Sequence, residues 1–114
     1  MSEGVGQRIG SLAKELRWGA YDFAYWFDKP RATVRNWYLK EYEPRGYIAE
    51  EIHASLDLLE TAFKKGWTKQ LTGISAHDRP NTIKHIRKCA ESGRVPEPYS
   101  SNRRVEMRRS RKAG

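Results

Sequence analysis

The side chains best suited to catalysis or metal binding are few: His53, His77 and His85, and one cysteine, Cys89. His85 and Cys89 stand four apart, so on a helix they share a face and could hold a metal ion or form a thiol–imidazole pair. A metal centre needs a third and usually a fourth ligand, and the sequence offers no clear candidate for either. A buried cysteine beside a surface histidine accounts for the same spacing. No glycine-rich phosphate loop and no paired-carboxylate arrangement stands out. The expectation is a protein that is not an enzyme and uses no metal and no cofactor. With one cysteine there is no intramolecular disulfide.

Charge is the stronger signal. The 114 residues carry a net charge of +8, with an isoelectric point near 9.8, which favours a polyanionic partner. Residues 93–114 hold Arg94, Arg103, Arg104, Arg108, Arg109, Arg111 and Lys112 against Glu97 and Glu106, so this tail carries +5 of the +8. A tail of this composition is expected to be disordered. It either solubilises the chain or contacts phosphates, and composition alone does not separate nucleic acid from an acidic membrane surface. No run of about 18 apolar residues occurs, so no membrane span is expected. Met1 to Gly10 has no apolar run of the signal-peptide kind, and the expected location is the cytoplasm or the nucleus.

The elements that would position these groups are helical. Ile9, Leu12, Ala13 and Leu16 repeat at one-face helical spacing and predict a helix over Gln7 to Trp18, with Arg8, Lys14, Glu15 and Arg17 on the opposite face and Gly19 ending it. A second short helix is predicted from Ala20 to Phe27. After Asp28-Lys29-Pro30, a third runs from Pro30 or Arg31 to Lys40. Tyr42 to Gly46 reads as a loop. Ile48, Ile52, Leu56, Leu59 and Phe63 form the longest stripe, predicting a helix over Tyr47 to Lys65 closed by Gly66. A short helix over Trp67 to Ile74 and another over Asn81 to Ser92, with Asn81 as its N-cap, Lys84, Arg87 and Lys88 exposed, and Gly93 as its stop, complete an all-α fold. Residues 1–46 form a head, 47–92 a packing or oligomerisation segment of the same domain, and 93–114 the basic tail.

Two helices crossing at a sharp turn need a small side chain at the contact and buried anchors on both sides. Ala24 supplies the first, and Phe23, Phe27, Val34 and Trp37 the second. The spacing from Ala24 through Asp28 to Val34 and Trp37, and the string Pro30-Arg31-Ala32-Thr33-Val34-Arg35-Asn36-Trp37, resemble the helix-turn-helix of phage-repressor-like DNA-binding proteins over residues 8–45. Two positions depart from that pattern. Asp28 stands where glycine is usual, and Lys29 where an apolar residue is usual, which leaves the turn less well anchored.

The resemblance implies roles. With Val34 and Trp37 facing inward, Arg31, Ala32, Arg35 and Asn36 face outward on the half of the helix that enters the major groove. Arg31 and Arg35 can grip guanine, and Asn36 adenine, with paired hydrogen bonds. Lys29, Thr33, Lys40 and Arg45 suit phosphate contacts, which position without reading sequence. The implied function is sequence-specific binding of double-stranded DNA by a transcriptional regulator in a bacterial or phage-infected cytoplasm. Size and layout equally resemble a phage small terminase subunit, and a protein- or RNA-interaction module with a basic tail is a third alternative. The Ile48–Phe63 stripe can pack onto the head as a fourth helix or form a subunit interface, and both hold together if the stripe is wide, as Leu58 and Ala62 make it. A dimer accords with a regulator and a ring with packaging.

Overall fold

A computed structural model describes residues 4–96. The chain forms α1 (Val5–Leu16), α2 (Ala20–Phe27), α3 (Arg31–Tyr38), α4 (Gly46–Lys64), a short 3-10 helix (Trp67–Leu71) and α5 (Arg79–Ser92). Among the described residues there is no strand. Helix α4 runs through the middle of the fold, with α1 and the 3-10 helix against it, and α5 lies across both α2 and α4. The basic cluster Arg103, Arg104, Arg108, Arg109, Arg111 and Lys112 lies outside the described residues.

One apolar core joins all the helices: Val5 and Ile9 of α1, Phe23 and Trp26 of α2, Val34 and Trp37 of α3, Ile52, Leu56 and Leu59 of α4, and Ile83 and Ile86 of α5 are all buried. The α4 stripe thus packs within the chain. Its centre, Ile52, Leu56 and Leu59, is fully covered within a single chain, Phe63 is half-buried, and Ile48 at the first turn stays exposed.

Polar groups fix the helix ends and crossings. Glu43, in the loop before α4, accepts from the Val5 and Gly6 amides at 2.6 and 3.2 Å, supplying the cap that Gly4 cannot. A Cβ on Gly6 would stand 2.8 Å from the Trp37 carbonyl, so only glycine lets α1 approach α3 this closely. The Trp26 indole donates to the Ser55 carbonyl at 2.9 Å, tying α2 to α4.

Several expectations need correction. Gly19 does not end α1. Arg17 takes the left-handed conformation there (φ 59°), and the Trp18 amide reaches back to the Ala13 carbonyl. Gly19 is instead the extended N-cap of α2, its amide held by the Asp22 carboxylate at 3.0 Å. Helix α5 starts two residues before the expected Asn81 cap, at Arg79, with Asp78 as N-cap and Pro80 in the first turn. Lys40 lies beyond α3, in the left-handed region at φ 62°. The expected helix over Trp67 to Ile74 is a 3-10 helix of five residues.

Arg8, expected on the solvent face of α1, lies half-buried against α4. It donates to the His53 carbonyl and to Asp57 Oδ1, pairs with Glu60, and has His53 Nδ1 3.0 Å away. Burial opposes the guanidinium charge, but the hydrogen bonds it donates to Asp57 and Glu60 and their negative charge outweigh it and raise its pKa above the ordinary value. Arg87, expected to be exposed, lies 5.5 Å over the Trp26 ring and donates to the Trp26 carbonyl at 2.9 Å. Arg79 and Asp22 form a two-point ion pair, at 2.8 and 3.3 Å, joining the first turns of α5 and α2.

Candidate nucleic-acid interface

The α2–α3 pair begins with its core. Ala24 is 3% exposed, buried alongside Phe23, Phe27, Val34 and Trp37 in the core where the two helices pack. Phe27 and Trp37 meet with ring centroids 6.2 Å apart, Phe23 stacks on Phe27 at 6.0 Å, and Trp18 closes on Phe23 edge-to-face at 5.1 Å. This aromatic chain fixes α3 on α2 through large contact areas. Among the described residues the Trp37 indole N–H has no hydrogen-bond partner, and the tryptophan is held by ring packing.

The turn has the conformation that the spacing requires. Asp28 sits in the left-handed region (φ 56°, ψ 50°), which Asp visits at lower cost than most side chains. The Lys29 amide returns to the Ala24 carbonyl at 3.1 Å. Lys29, where an apolar anchor was wanted, anchors the turn by charge: its ammonium pairs with Glu51 of α4 at 3.2 Å. This also engages a residue assigned to phosphate. Pro30 then precedes α3, and its carbonyl accepts the Val34 amide at 3.1 Å.

With Val34 and Trp37 inward, Arg31, Ala32, Thr33, Arg35 and Asn36 are exposed along α3. The two arginines are differently placed. Arg31 lies back along α2, donating to the Tyr25 hydroxyl at 2.9 Å, with its guanidinium 4.8 Å from the Tyr21 ring centre and 5.7 Å from that of Tyr25. Arg35 borders a shallow groove with Gly19, Ala20, Tyr21 and Asp22. Among the described residues no side chain pairs with Arg35, Asn36, Thr33, Lys40 or Arg45. Arg45 is the exposed N-cap of α4, so Lys40 and Arg45 flank the loop that leaves α3. The two tyrosines escaped the sequence reading. Their four-residue spacing on the face of α2 opposite Phe23 and Phe27 was the available signal.

His85 Nε2 stands 3.9 Å from the buried Cys89 Sγ, and among the described residues no group of three potential ligands is gathered to hold a metal. No helix among them is long and apolar enough to cross a membrane. No family model, curated protein or solved structure matches the chain.

Proposed function

We propose that this protein is a cytoplasmic, sequence-specific binder of double-stranded DNA, acting as a transcriptional regulator of the phage-repressor-like helix-turn-helix type. The observation that carries the reading is the division of α3: Val34 and Trp37 are buried against α2 beyond a left-handed Asp28, while Arg31, Arg35 and Asn36 remain exposed. A helix so anchored presents its exposed face to a major groove, where Arg35 and Asn36 in its second half read base edges and Arg31 contributes from its tyrosine-backed position at the first turn. Arg45 and Lys40 take phosphates at the far end. The protein uses no metal, cofactor or catalytic step in this role.

Selection of bound sequences from a random duplex pool tests the reading. The wild type should enrich one motif, and Arg35→Ala should relax it at one position while losing about 1–3 kcal/mol of specific affinity. An Arg35→Ala variant that keeps the motif and the affinity removes Arg35 from the readers. Paired half-sites require two copies; light scattering on the DNA complex reports them, and a ring of many copies would favour the packaging role instead.

A further inference from the structure

Helix α5 has no assigned role beyond packing, yet it forms one wall of a groove. The ion pair of Arg79 with Asp22 sets the start of α5 against the start of α2, and Arg87 on the Trp26 carbonyl sets its third turn against the last turn of α2. The helices therefore run the same way, and a groove of about 690 Å³ opens between them, with Tyr25, Phe27 and Asp28 on one wall and Asn81, Lys84 and Lys88 on the other. The last turn of α2 leads through Asp28 directly into the N-terminus of α3. Tyr25 belongs to this groove and also holds Arg31.

The cations of this wall divide by engagement. Arg87 is committed, to the Trp26 carbonyl and ring and to Glu91 at 2.5 Å. Lys84 and Lys88, one turn apart, are exposed and have no ion-pair partner among the described residues. Glu91 is neutralised by Arg87, which leaves Asp28 as the opposing carboxylate. We propose that Lys84 and Lys88 form a second nucleic-acid contact, taking phosphates of the DNA strand that borders the segment read by α3. The inference rests on the proposed docking of α3. It adds α5 to the footprint and makes the surface from Arg31 through Tyr25 to Lys88 continuous.

A purely internal role would have the lysines complement the negative C-terminal end of α2. The two roles separate in one experiment on the full chain. Wild type and Lys84→Gln/Lys88→Gln are titrated with a mixed-sequence duplex and with the selected duplex over several salt concentrations, and their melting temperatures are compared. Each lost phosphate contact reduces the slope of log K against log salt by about 0.9, so the double variant should lose about two units, equally on both duplexes, with unchanged melting. Lys64→Gln/Lys69→Gln removes the same charge from the end of α4, some 20 Å along that helix from Glu51, and from the 3-10 helix that follows it, and should leave the slope in place.

An unaltered slope in the Lys84/Lys88 variant overturns the proposal, as does an equal loss in the Lys64/Lys69 control. Lowered melting with the slope intact assigns the lysines to the α2 terminus and also overturns it. A wild type that binds no duplex at low salt fails the reading of α3, and this proposal with it. A wild type that binds while the slope is indifferent to Lys84 and Lys88 fails this proposal alone. Tight salt-dependent binding of single-stranded RNA in place of duplex would give the groove to a different partner.

Discussion

Arg31 donates to the Tyr25 hydroxyl at 2.9 Å while its guanidinium lies over the Tyr21 ring, so the first residue of α3 is held by two residues of α2. An arginine fixed in this way loses less rotamer freedom when it meets DNA. Tyr25→Phe removes the hydrogen bond and keeps the ring. The expected outcome is a two- to five-fold loss of specific affinity, about 0.5–1 kcal/mol, with melting unchanged. Fluorescence anisotropy on the selected duplex measures it. Unchanged or tighter binding would mean that Tyr25 holds Arg31 away from the DNA.

Ala24 reports on the core behind that surface. At 3% exposure it leaves no room for three further carbons. Ala24→Leu should overpack the α2–α3 contact by about 1–3 kcal/mol. At roughly 4–8 °C per kcal/mol for a chain of this size, a calorimetric scan resolves the change. DNA binding should fall with it, since α3 would be displaced from α2. A variant that melts and binds like the wild type would place the motif in another register.

The all-α order, the bounds of α2 and the left-handed Asp28 were legible because each depends on neighbours within one or two turns: apolar spacing, proline, glycine and their stand-ins. The outward set Arg31, Arg35 and Asn36 followed once Val34 and Trp37 were taken as inward. What escaped depends on partners 37 to 61 residues away, as with Glu43 on the Val5 and Gly6 amides, Arg8 on Asp57 and Glu60, Asp22 on Arg79, and Arg87 on Trp26. Periodicity tells which face a charged residue occupies, not that another helix will cover that face. The misassigned Gly19 has the same origin: glycine serves equally at either end of a helix, and Asp22 decided which.

Arg8 offers a test of such a hidden contact. Arg8→Met keeps the apolar stem and removes the charge, leaving Glu60 without its cation. The expected loss is about 1–2 kcal/mol, kept small because solvent screens the mostly exposed Asp57. By the same exposure, Glu60→Gln should cost more than Asp57→Asn. A raised arginine pKa gives stabilisation that is complete below the ordinary value and lost only as pH rises through the folded one. Thermal melts near neutral pH should therefore show the full difference between wild type and Arg8→Met at every pH. A difference that changes across that window would mean that another group governs the contact.

The basic tail can be tested by a cut that spares the described residues. Pro96 is buried and the Arg94 amide donates to the Cys89 carbonyl at 2.9 Å, so the break belongs after Pro96, not at Arg94. Deleting 97–114 removes Arg103, Arg104, Arg108, Arg109, Arg111 and Lys112 together with Glu97 and Glu106. If these cations meet phosphates, each contact contributes about 0.9 to the salt slope. Six cations crowded into ten residues share phosphates, and two carboxylates oppose them, so the slope should fall by roughly two to four units. Affinity should drop equally for the selected and mixed duplexes, because phosphate contacts carry no sequence information. Melting should stay at the wild-type value, since the cut leaves every residue of the described core in place. A titration over several salt concentrations decides the matter. An unaltered slope assigns the tail to solubility or another partner, whereas a loss confined to the selected duplex would mean that the arm reads a minor groove.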